Sequence, residues 1–110
     1  MAELGRAIAL SERHGLLYVR SVAHWFAAEV AVAAGDHESA LAQRDGELAL
    51  LTDLGNDLNL EACQRHRAEL LRLLGRERDA VAAQREAEAA RARLHAPSAG
   101  EARSDRGSRS

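Results

Sequence analysis

Apolar residues recur along this chain at three- and four-residue steps, and glycine cuts the recurrence at regular intervals. Gly15, Gly35, Gly55 and Gly75 stand 20 residues apart. Glycine is favoured just past a helix end because it enters the left-handed backbone region without strain. Asp36 and Asn56 follow two of these glycines and suit the cap of the next helix, where a side-chain oxygen accepts from free N–H groups. The pattern predicts five helices, over about 2–14, 16–34, 37–54, 57–74 and 76–95. Loops this short force consecutive helices to lie antiparallel.

The helices differ in what they must bury. Residues 16–34 are apolar almost all round, with Leu17, Val22, Trp25, Phe26, Val30 and Val32 on several faces. That helix is expected to be enclosed on more than one side. The last helix alternates Arg85, Glu86, Glu88, Arg91 and Arg93 with alanines, leaving one thin apolar stripe and an exposed face, as a terminal cap should. Composition points the same way. Ala supplies 24 positions and Leu 16, against five Val, one Ile and one Thr, with single Phe, Trp and Tyr residues. Strands draw on β-branched and aromatic residues, so the fold class is all-α, in one domain.

The charges exclude several roles. The 15 basic residues, all Arg, face 17 acidic ones for a net −2, which offers no basic face for displacing counterions from nucleic acid. The absence of Lys beside so much Ala resembles the codon usage of a GC-rich genome. Cys63 is the single cysteine, so no internal disulfide forms, consistent with a reducing compartment. Glu3, Arg6, Glu12 and Arg13 interrupt any signal-peptide core. Val22–Gly35, broken by His24 and Glu29, is too short to span a bilayer. A cytoplasmic location, away from membranes, is expected.

Alternate segments echo each other at a spacing of 40. Gly35-Asp36-His37-Glu38-Ser39-Ala40-Leu41 matches Gly75-Arg76-Glu77-Arg78-Asp79-Ala80-Val81, and Ile8-Ala9-Leu10 matches Leu48-Ala49-Leu50. Self-similarity at a fixed period indicates stacked helical hairpins. The segments resemble the longer variant of the tetratricopeptide repeat (TPR), with Gly35-Asp36 leading to Ala40-Leu41 and Gly75-Arg76 to Ala80-Val81. Small residues fall where the two helices of such a repeat touch: Ala28 with Ala40, and Ala68 with Ala80 and Ala87. The whole segment is also similar to the helical-repeat regions of large bacterial signal-transduction ATPases and transcriptional regulators. The resemblance covers residues 2–95 and implies an α-solenoid, with a leading helix (2–14) and hairpins over 16–54 and 57–95. Glu47 departs from it where alanine is usual, no proline closes either repeat, and most aromatic positions of the first helix are empty. The leading helix lacks its own partner, so Met1 starts inside a longer array or another surface supplies the cover; self-association through this helix is one such cover.

Candidate chemistry is sparse. Cys63 and His66 share a helix face, and only His24 or His37 offers a third metal ligand. A buried free cysteine on an Ala/Leu helix accounts for Cys63 better than a metal site or a nucleophile. Glu61–Arg65, Arg65–Glu69, Glu69–Arg72 and Glu88–Arg91 lie at ion-pair spacing and suit a solvated face. No catalytic residue, metal or cofactor is assigned, and the chain is read as a non-enzyme. The TPR resemblance implies a partner groove lined by the first helix of each hairpin. It places Val22, Trp25, Glu29 and Val32 on one wall, and Ala62, Arg65, Glu69 and Arg72 on the next. Trp25 would anchor a peptide or protein partner, with Arg65 and Arg72 meeting an acidic segment. The alternative is an effector-sensing fragment of a larger regulator. The tail, 96–110, has Arg103, Arg106 and Arg109 among Ser, Gly and Asp and is expected to be disordered.

Overall fold

The computed structural model describes residues 2–96, with side chains from residue 5 onward. Four α-helices follow in order: α1 (Ala2–Ala33), α2 (His37–Leu54), α3 (Asp57–Leu73) and α4 (Glu77–His95). No strand occurs among the described residues, in line with the shortage of β-branched residues. From residue 97 the tail lies outside them.

Three of the four glycines end helices as the spacing predicts. Gly35, Gly55 and Gly75 take φ of 76°, 64° and 77°, the left-handed region that costs an L side chain about 1–2 kcal/mol. Each turn closes the same way: the residue after the glycine donates its N–H to the carbonyl five residues back, Asp36 to Ala31, Asn56 to Leu51 and Arg76 to Leu71. These bonds satisfy carbonyls that a helix end otherwise leaves unpaired. On the far side of two turns, Asp36 Oδ1 accepts from Ser39 N at 3.1 Å and Asn56 Oδ1 from Asn59 N at 3.2 Å. Arg76 has no side-chain cap.

Gly15 does not end a helix, which corrects the expected break between 2–14 and 16–34. Helix α1 runs through it for 32 residues, about 48 Å at 1.5 Å per residue. The physical reason is local: Leu16 cannot cap, φ at Gly15 is not positive, and an interior glycine costs a helix only about 1 kcal/mol. Gly15→Ala should therefore stabilise the fold by roughly 0.5–1 kcal/mol, since a Cβ there meets nothing within 4 Å. Gly55→Ala should destabilise it by about 1–2 kcal/mol. Urea titrations followed by circular dichroism read both; a loss at Gly15 would restore the break.

Packing is sequential. α1 lies on α2, α2 on α3 and α3 on α4, and the α2–α3 interface is the smallest of the three. The core is thin because alanine makes it so. Ala28, Ala40, Ala68 and Ala80 are completely buried and Ala87 nearly so, the positions expected to let helices approach. Ala40, Leu41, Ala68, Leu70, Leu71, Ala80 and Ala83 form one cluster, with Ala31 and Leu74 against it. α1 and α2 also come close at Gly46, where a Cβ would lie 2.7 Å from the His24 ring. His24 Nδ1–H donates to Gln43 Oε1 at 2.7 Å beside it. Ion pairs cross the remaining seams: Arg67 to Asp45, Arg76 to Glu38 and Arg93 to Asp57, at 2.8, 2.7 and 2.9 Å.

α1 is not enclosed on more than one side, contrary to the expectation for residues 16–34. Only α2 packs on it, through Ser21 and Ala28. Ile8 and Leu10 are half-exposed, because α1 passes straight through Gly15 and carries them away from any neighbour. Continuity also changes the membrane expectation. Gly5–Ala33 is long and apolar enough, by length and composition, to cross a membrane, with an 18-residue stretch of mean hydropathy 1.2.

Candidate functional site

The candidate site is a cleft between α1 and α3 with α2 as its floor. No backbone contact joins α1 to α3, so the two helices stand as separate walls. Two depressions lie along the cleft. The first is lined by Tyr18, Ser21, Val22 and Trp25 of α1, Asn59 of α3, and Glu47 and Leu51 of α2. The second is lined by Glu29 and Val32 of α1, His37 and Arg44 of α2, and His66, Glu69, Leu70 and Leu73 of α3.

An ion triad separates them. Arg44 is 2% exposed although it sits on the core-facing side of α2, in step with Ala40, Glu47 and Leu51. Its guanidinium donates to Glu29 Oε1 at 2.6 Å and to Glu47 Oε1 at 2.9 Å. Arg44 Nε is buried without a partner. A buried charge requires a hydrogen-bonded counter-charge, and Glu47 supplies it within one turn while Glu29 reaches across from α1. Glu47, a departure from the repeat pattern in the sequence, is thus the carboxylate that holds Arg44 in the interior.

The thiol of Cys63 lies beneath this triad. Its Sγ–H donates to the Arg44 carbonyl at 3.4 Å. Burial, aided by the Glu47 carboxylate, pushes the thiol far above its usual range, which disfavours the thiolate a nucleophile or metal ligand needs. Burial, then the charges of Arg44 and Arg65, lowers the pKa of His66 and favours its neutral form. No group of three or more His, Cys, Asp or Glu side chains stands ready for a metal among the described residues.

The site residues expected from the sequence divide into two groups. Val22 and Trp25 line the first depression, while Glu29, Val32 and Glu69 line the second. Trp25 is 44% exposed, with the rest of its indole against the cleft. Arg65 and Arg72 are exposed on α3 but line neither depression, and Arg65 Nε instead donates to Glu61 at 3.3 Å. Ala62 is half-buried. The charged lining is therefore three carboxylates, Glu29, Glu47 and Glu69, against the single guanidinium of Arg44. Sequence reasoning missed Arg44 and Glu47 as a pair. The available signal was two opposite charges, three residues apart, inside an otherwise apolar stripe of α2. Comparison with known proteins adds no relative: no protein-family model, no curated protein and no solved structure matches this chain.

Proposed function

We propose that the chain is a non-catalytic interaction scaffold of tetratricopeptide-like build, which holds a peptide or protein segment in the cleft between α1 and α3. The observation that carries this proposal is Trp25, a large aromatic side chain left half-exposed beside a depression floored by Leu51 and Glu47. Aromatic anchors seated beside such pockets dominate binding at interfaces. The antiparallel hairpins, the three identical glycine turns and the buried alanines support a solenoid arrangement of α1–α2 and α3–α4. The favoured segment brings an apolar side chain to Trp25 and a neutral or cationic group toward Glu29 and Glu69. The two depressions hold about 180 and 170 Å³, below the roughly 300–1,000 Å³ of small-molecule sites. The cleft therefore suits side chains of a polypeptide better than a whole effector molecule. A cytoplasmic setting accords with α1 laying its 16–33 half on α2, a helix bearing Glu38, Asp45 and Asp53.

Trp25 is the sole tryptophan and reports on its own cleft. Peptides selected from a random library against the whole chain should shift its emission and bind at least about tenfold more weakly to Trp25→Ala, a loss of about 1.4 kcal/mol. Glu88→Ala, on the outer side of α4, should leave binding unchanged. Selected peptides indifferent to Trp25→Ala would move the binding surface elsewhere.

A further inference from the structure

We infer that two copies of this chain pair symmetrically through the outer stripe of α1, the side turned away from α2. The inference concerns the side of α1 away from α2, which meets the cleft only at Val22, and does not depend on the cleft's being a binding site. Val19, Ala23, Phe26 and Val30 follow i, i+4, i+7 and i+11, one continuous helix face. Val19 and Phe26 are each 63% exposed and Val30 is 53% exposed. Leu16 and Val22 flank them, and no charged residue falls on this stripe between Gly15 and Ala33.

The area suffices for a specific pair. These side chains present on the order of 500 Å² per copy, so a symmetric pair buries about 1,000 Å², the size at which specific interfaces begin. The internal 40-residue echo says what kind of surface the stripe is. Val19, Ala23, Phe26 and Val30 correspond to Asn59, Cys63, His66 and Leu70 of α3. All four are buried or half-buried there: Cys63 bonds the Arg44 carbonyl of α2 and Leu70 joins the core cluster. The stripe on α1 is therefore a helix-packing face left open.

Head-to-tail stacking does not close it. The helix of a second copy corresponding to α2 is α4, and its matching outer positions are Val81, Arg85 and Glu88, all exposed. Docking them on Val19, Phe26 and Val30 would strip water from two charges without giving them partners. The same stripe on a second copy has no such cost. A two-fold pair also closes on itself, and with the helices antiparallel their dipoles oppose. A crossing at Val22 and Ala23 then sets Val19 of each copy near Phe26 of the other.

Sedimentation equilibrium of the full chain tests the pairing. At tens of micromolar the mass should be twice the 11.9 kDa of one chain. Phe26→Glu and, separately, Val30→Lys should halve it while leaving the helical circular dichroism intact, since both side chains point to solvent. Val81→Glu should leave the dimer whole. A wild-type monomer overturns the inference, as does a dimer that survives Phe26→Glu and Val30→Lys or one that Val81→Glu dissociates. Oxidative cross-linking reads the direction: Ala23→Cys should join two copies and Ile8→Cys should not, and cross-linking at position 8 overturns the antiparallel arrangement.

Discussion

Replacing Arg44 by Ala should lower the unfolding free energy by about 3–5 kcal/mol, the cost of leaving a buried charge without its partner. Glu47, whose side chain is 8% exposed, would remain in the interior beside Leu51 and Cys63. Glu29 is half-exposed and can turn to water, so most of the loss belongs to Glu47. A domain of this size has roughly 5–15 kcal/mol in total, so the variant should approach the edge of folding. Removing both charges together, as Arg44→Met with Glu47→Leu, should cost far less, because apolar residues of similar volume often match or exceed a buried ion pair. Urea unfolding followed at a helical circular-dichroism band compares the two. A single-variant loss under about 1 kcal/mol, the worth of an exposed pair, would mean that water reaches the triad and that the α2 floor is open.

Leu51→Ala should cost about 2–3 kcal/mol, the lower part of the range for truncating a buried leucine. Leu51 is 1% exposed and floors the depression beside Trp25. The truncation leaves a void, but that void opens onto an existing depression, so water or the Trp25 indole can enter it and relieve part of the cost. Two readouts separate these possibilities. Entry of water should move Trp25 emission to longer wavelength, and entry of the indole should move it to shorter wavelength; both go with an unfolding midpoint below wild type. Leu51→Met, which conserves volume, should lose less than about 1.5 kcal/mol. An Ala variant as stable as wild type would place Leu51 outside the packed floor.

Several features of the fold were legible because they are local. The glycine turns at 35, 55 and 75 follow from the one residue that accepts positive φ, and the caps at Asp36 and Asn56 from short side chains that reach the next N–H groups. The buried alanines at 28, 40, 68, 80 and 87 were expected from the resemblance to the tetratricopeptide repeat. Gly15 misled because the same residue type can sit inside a helix at modest cost. The cleft was half legible. Of the residues that the tetratricopeptide resemblance put on the walls, Val22, Trp25, Glu29, Val32 and Glu69 line the cleft, whereas Arg65 and Arg72, on the same helix as Glu69, turn outside it.

By itself the sequence determined that the chain is helical, where three of its turns lie and which positions are small enough for helices to touch, since each depends on a few neighbouring residues. Tertiary structure decided what surrounds those helices. It showed that Arg44 is an interior cation clasped from two helices, that Cys63 is a sealed thiol, and that the apolar stripe of α1 lies open on the side away from α2. Burial depends on which helices arrive at a face, and no local pattern of residues encodes that arrival.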